Sequence, residues 1–185
     1  KLGDPEGCIT TSQKCILAFE QLDHPVESAL ARVIAARGAF ALEQIPLAKD
    51  WTHQALQVAQ DQEIPFLTYQ GQKLLGQIAQ FNNEIPTALK HYEVAINALE
   101  KISRHMMTEF HADFLEDKQP VYDAAVDVAL QTGQPNLSLS YVERAKSRAL
   151  WKILAYRPQL GIQPQDAGDE HLVAEINVLR LERQR

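Results

Sequence analysis

The stretch Tyr69–Ile102 reads YQGQKLLGQIAQFNNEIPTALKHYEVAINALEKI, 34 residues. Its apolar residues recur at three- and four-residue spacing, the mark of helices with one buried face. Asn82-Asn83 interrupts the pattern and Pro86 reopens it, so two helices are joined by a tight turn. Leu75-Gly76 lies in the first helix; Ala88, Tyr92 and Ala95 lie in the second. Helices that approach closely need small residues at the contact, here Gly76, Ala88 and Ala95. One aromatic, Tyr92, is expected to fill the gap beside them. Gly76→Leu should therefore force the pair apart, costing on the order of 1–3 kcal/mol or more.

The pattern continues outward. Ala36, Ala48 and Ala55 repeat the spacing of Gly76, Ala88 and Ala95, with Thr52 in place of the aromatic and Trp51 adjacent to it. Gly133 marks an inter-helix turn in a third copy, where Ser138, Val142 and Ala145 take the second-helix positions. The offsets of about 40 and 50 residues predict an irregular array with longer helices or inserted turns. Punctuation by Pro and Gly predicts about nine helices, beginning near Thr11, Val26, Pro46, Pro65, Pro86, His105, Pro120, Pro135 and Asp169. Alternating strand patterns and Asn-Gly or Asp-Gly hairpin turns are not found.

Leu-Gly in the first helix and Ala-x-x-x-aromatic in the second resemble the tetratricopeptide (TPR) signature. Gln72 stands where that signature has Trp, and Ala79 where it has Tyr. The expected fold is an all-α, TPR-like right-handed superhelix of antiparallel helical hairpins. It covers 1–156, with a loop at 157–168 and the start of a charged helix at 169–185. The packing residues are Leu75, Gly76, Ala88, Tyr92, Ala95 and Ala145.

A more particular resemblance lies in Asp117-Lys118-Gln119-Pro120-Val121-Tyr122, a helix ending at Thr132-Gly133, and Tyr141-Val142-Glu143-Arg144-Ala145-Lys146-Ser147-Arg148-Ala149-Leu150. This order resembles the TPR region preceding the caspase-like peptidase domain of bacterial CHAT proteins, frequent in cyanobacteria. The likeness covers about residues 69–155 and is most specific over 117–155. It implies a regulatory or target-recognition segment beside a peptidase. The catalytic His and Cys of that family belong to a downstream domain, so no catalytic residue is carried over.

Composition sets the outer bounds. Hydrophobic residues make up 45% and charged residues 23%, enough apolar material for a core. The net charge of −6 disfavours a nucleic-acid partner, which needs clustered cations. No apolar run approaches the roughly 18 residues of a membrane span. Lys1–Glu6 lacks a signal-peptide pattern, and a cytoplasmic protein is expected. The periodic pattern is cut at Arg185, as in a segment of a larger protein. Cys8 and Cys15 would be separated by roughly 10 Å of helix rise, too far for a disulfide and without a neighbouring His to make a metal site or a nucleophile.

His105, Glu109, His111 and Asp113 cluster in sequence, but His111 leaves the face that His105 and Glu109 share. A solvated helix face explains them, and no metal or cofactor is expected. Arg144, Lys146 and Arg148 could hold an anion or pair with neighbouring carboxylates. The first helices of a TPR stack line its concave side, which places Gln70, Lys73, Gln77 and Gln80 in a groove with Phe81 at its rim. Arg37, Asp123 and Asp127 extend it. Amides and mixed charges suit an extended peptide, whose backbone offers donors and acceptors. The expected activity is binding of a protein or peptide without catalysis. The alternative is self-association into a homo-oligomer through Leu172, Ile176 and Leu179.

Overall fold

The computed structural model describes residues 3–105, 119–156, 171, 173, 175 and 176; the side chains at 104, 105, 119 and 148–156 lie outside that description. Among the described residues seven helices are delimited: α1 Pro5–Gln21, α2 Pro25–Ala41, α3 Ile45–Asp61, α4 Pro65–Phe81, α5 Ile85–His105, α6 Gln119–Gln131 and α7 Pro135–Tyr156. No strand occurs among the described residues. The helix expected over 105–116 and the loop at 157–168 lie outside them.

One turn is used five times. Non-glycine residues with positive φ stand at Asp23, Glu43, Glu63 and Asn83, a spacing of 20 residues, and Gly133 has φ 70°. Each follows a helix by two residues. The N–H after each reaches back five positions: His24 to the Phe19 carbonyl, Gln44 to Ala39, Ile64 to Ala59, Glu84 to Ala79 and Gln134 to Ala129, all at 2.8–3.0 Å. The positive-φ residue itself reaches back three positions, as Asn83 N–H does to the Gln80 carbonyl at 3.0 Å. This is the Schellman closure, which satisfies carbonyls that a helix end leaves orphaned.

The last residue of each turn also begins the next helix. The carbonyls of His24, Gln44, Ile64, Glu84 and Gln134 accept the first helical bond, from Ser28, Ala48, Thr68, Ala88 and Ser138. Proline then falls at the first or second helical position, where its missing N–H costs nothing. Among α1 to α4, the α1 start alone adds a side-chain cap, Asp4 accepting from the Gly7 N–H at 2.9 Å. So α1 begins at Pro5, not near Thr11: the Asp-Pro pair is a stronger start signal than the apolar stripe.

This regular turn corrects the expectation of an irregular array over its first part. α1 to α4 are each 17 residues long. Helix plus turn therefore repeats every 20 residues, and the 40-residue offset between Ala36 and Gly76 is two helices in strict register. The structural unit around Gly76 is the pair α4–α5 beginning at Pro65, wider than the 34-residue window 69–102. The 50-residue offset to the last pair spans residues 106–118, outside the described set.

Helices adjacent in sequence pack on one another throughout, α5 also packs on α6, and α2 touches α4. The core is correspondingly strung along the array. Ala29, Val33, Ala55, Ala59 and Leu67 join α2, α3 and α4; Ala36, Ala39, Ala48, Leu74 and Ile78 do so again two turns further on. A larger cluster runs from Tyr69 and Ala79 through Tyr92, Ala95 and Leu99 to Tyr122, Val128 and Tyr141.

The close approach expected at Gly76 is present. A Cβ built there would lie 2.6 Å from Cε1 of Tyr92. Ala88, Tyr92 and Ala95 are buried, and Leu75 is buried beside them. In the earlier copy Thr52 is itself fully buried and turns its hydroxyl to the Ala48 carbonyl at 2.6 Å. Trp51 is half-buried and packs toward Ile16, Ala31 and Ala35. In the last pair Ser138 is buried, Val142 and Ala145 are only half-buried, and Tyr141 occupies the core instead.

Candidate interaction surface

Three of the expected groove residues are equivalent by position. Arg37, Gln77 and Asp127 each stand six residues before the positive-φ residue of their turn, and all three are exposed. α2 and α4 are in contact, so Arg37 and Gln77 lie on neighbouring helices. Asp123, one turn of α6 earlier than Asp127, is also exposed.

The other candidates on α4 are half-buried, and Gln80 and Lys73 are engaged. Gln80 accepts a hydrogen bond from the Tyr92 hydroxyl at 2.9 Å, which ties it to the core aromatic. Burial pushes that hydroxyl's pKa up to about 12. Lys73 is half-buried with its ammonium 5.9 Å from the Tyr69 ring centroid. Gln70 is half-buried one turn of α4 earlier. Gln80 thus serves packing more than display.

Beside this row lies an aromatic pair that sequence reading noted only in part. Phe81, 56% exposed, meets Phe40 edge to face with ring centroids 5.8 Å apart. Phe40 stands three residues before its turn, the place Gln80 takes in the next copy. The shared place was legible; that the two rings would meet depends on how α2 crosses α4. Ile34 on α2 is 49% exposed.

A second polar cluster occupies the junction of α3, α4 and α5. His91 Nδ1 lies 2.7 Å from Oε1 of Gln72, and Lys49 meets Glu84 at 3.9 Å. Burial holds the His91 pKa below its ordinary value, and the positive groups His53 and Lys49 add to this while Glu84 opposes it. The hydrogen bond to His91 ties Gln72 of α4 to α5. Nothing in the local sequence marks His91, because its partners come from other helices.

Arg residues stitch the helices. Arg32 joins Glu20 of α1, Ser28 of its own helix, and Gln54 of α3 at 2.9 Å. Arg144 donates to Glu100 at 2.8 Å and Asn97 at 2.7 Å, and its guanidinium carbon lies 5.6 Å from the Tyr141 ring centroid. Glu100 also accepts from the Tyr122 hydroxyl at 3.2 Å. Of the two readings of Arg144, pairing with neighbouring carboxylates is the one observed. Lys146 is exposed, and the side chain of Arg148 lies outside the described residues.

Cys8 and Cys15 are free thiols. No group of three or more His, Cys, Asp and Glu able to hold a metal occurs among the described residues. Glu109, His111 and Asp113 lie outside them, as does the side chain of His105. Of the expected self-association patch, Ile176 is 39% exposed, and Leu172 and Leu179 lie outside the described residues. No described helix is long and apolar enough to cross a membrane.

Comparison with protein-family models, with curated proteins and with solved structures finds no match.

Proposed function

We propose that this chain is a protein- or peptide-binding scaffold, a TPR-like right-handed superhelix whose first helices offer a groove to an extended segment. The observation that carries this reading is the row Arg37, Gln77 and Asp127, exposed at one repeated position. A side chain repeated at a fixed place on stacked helices presents donors and acceptors at regular intervals, which suits an extended backbone. The Phe40–Phe81 pair beside Arg37 and Gln77 supplies an apolar anchor, the kind of group that dominates binding energy at interfaces. Such a scaffold acts without a cofactor and without turnover, and its acidic balance suits a protein partner over a nucleic acid.

The likeness of residues 117–155 to the segment before CHAT peptidase domains supports the narrower reading: a cytoplasmic regulatory or target-recognition region of a CHAT-type protein. Arrayed peptides of random sequence, probed with the chain and with an Arg37→Glu/Gln77→Ala/Asp127→Lys variant, test the groove. The expected result is a set of peptides bound by the first and lost by the second, with circular dichroism unchanged. Equal binding by both would move the site elsewhere.

A further inference from the structure

The row of Arg37, Gln77 and Asp127 is sorted by charge, although the chain as a whole carries a net charge of −6. α2 holds a single carboxylate, Glu27 in its first turn, and α4 holds none. Arg37 is exposed on α2, and Lys73 is half-buried on α4. α6 is the reverse: Asp123 and Asp127 are exposed, and no cation lies between Gln119 and Gln131. Arg37 and Asp127 occupy the same repeated position, and neither enters an ion pair among the described residues. Lys73 and Asp123 are engaged elsewhere but add the same signs to their helices.

Each of these helices also shows an apolar side chain about one turn beyond the polar one. Phe40 follows Arg37 by three residues, Phe81 follows Gln77 by four, and Leu130 follows Asp127 by three. Side chains three or four apart share a helix face. Phe81 and Leu130 are 56% and 55% exposed. The helices therefore offer two lanes, one polar with a positive start and a negative end, and one apolar.

Such a face selects by sign. A carboxylate is attracted over α2 and repelled over α6, and the converse holds for a cation. A uniformly acidic or uniformly basic segment meets like charge at one end. A segment with one sign at each end meets it at neither. We infer that the segment taken by this face is an extended peptide of mixed charge, with an acidic side chain over Arg37, a basic one over Asp127, and an apolar one on the Phe40–Phe81 pair. The inference rests on the scaffold reading of the preceding section and adds the partner's chemistry to it. An extended chain suits two lanes because its successive side chains point to opposite sides.

Three pools of peptides about twelve residues long, reaching at most roughly 40 Å, test this. Each is random except for two charged positions at varied spacing: Asp with Lys, Asp with Asp, or Lys with Lys. Binding to the wild type, Arg37→Glu and Asp127→Lys is measured at low and high salt, with thermal melting as the check on folding. The wild type should prefer the Asp-Lys pool. Arg37→Glu should turn that preference to Lys-Lys, and Asp127→Lys should turn it to Asp-Asp, each by roughly threefold or more at low salt and less at high salt. These switches hold whichever way the peptide runs. Binding without charge preference, or a preference that both variants leave unchanged, overturns the inference and leaves the scaffold reading standing. Failure of the wild type to bind any pool removes the scaffold reading and the inference with it. A dimer in sedimentation that each variant breaks and the double variant restores also overturns the inference, since α6 of a second copy would then occupy the positive end.

Discussion

Replacing Gly76 with Ala should have opposite effects depending on what stands at position 92. In an ordinary helix interior Gly→Ala stabilises by about 1 kcal/mol. Here the new Cβ would meet Tyr92 at 2.6, 2.7 and 3.0 Å, against 3.4–4 Å for ordinary contact. Something must retreat by about 0.8 Å, the difference between the shortest of these and ordinary contact. Tyr92 has little room to do so: it is 1% exposed and its hydroxyl is tied to Gln80. Overpacking of this kind costs about 1–3 kcal/mol, which cancels or outweighs the propensity gain. The chain contains its own control, because the equivalent pair in the earlier copy is Ala36 with Thr52. In a Tyr92→Thr background, itself destabilised by the loss of a buried ring, Gly76→Ala should recover its gain of about 1 kcal/mol. The coupling between the two sites is then about 1–3 kcal/mol. Denaturant unfolding of the wild type, both single variants and the double variant measures it. If Gly76→Ala stabilises equally in both backgrounds, the close approach of α4 and α5 is not as described.

Other perturbations test separate parts of the structure. Glu43→Gly and Glu63→Gly place glycine at positive φ, where a side chain costs roughly 1–2 kcal/mol, so each should raise stability by up to about 1 kcal/mol after glycine's own entropy loss; chemical denaturation checks this. His91, whose pKa is lowered by burial and by His53 and Lys49, binds its proton more readily when unfolded. Its contribution is complete above the unfolded value of about 6.5 and is lost as pH falls below it, so melting temperature should drop from pH 7 to pH 5 less in His91→Gln than in wild type. Tyr92, at about 12, should resist ionisation as pH rises through 10 and 11. Stability linked to it is present below pH 10 and lost above, and ultraviolet titration should show a late-titrating component, to which buried Tyr141 also contributes, that Tyr92→Phe reduces. Arg144→Met should cost about 1 kcal/mol, because Glu100 and Asn97 lose a partner while both stay wet enough to be rehydrated; urea unfolding measures it.

The repeat was readable from residues whose effect is local. Proline cannot sit deep in a helix, so Pro25, Pro46, Pro65, Pro86 and Pro135 marked helix starts without reference to anything distant. Gly76, Ala88 and Ala95 announced a close approach because only small side chains permit one. The 40-residue spacing of Ala36 and Gly76 was present in the string of letters. Its cause was hidden, since Asp23, Glu43, Glu63 and Asn83 are not the glycines that usually betray this turn. Their left-handed backbone is imposed by the backbone hydrogen bonds that close each turn.

What only the tertiary structure decided concerns partners far apart in the chain. Its place on the first helix of a pair puts Gln80 in the expected groove, yet the Tyr92 hydroxyl claims it from the next helix. Arg144 could have served an anion or a carboxylate until Glu100 stood beside it. Phe40 and Phe81 became one aromatic pair only through the crossing of α2 and α4. Helix ends and small contact residues are dictated by backbone sterics within a few positions, which a sequence displays. A polar side chain's role depends on which neighbour reaches it first, and that is set by the angle and rotation at which whole helices meet.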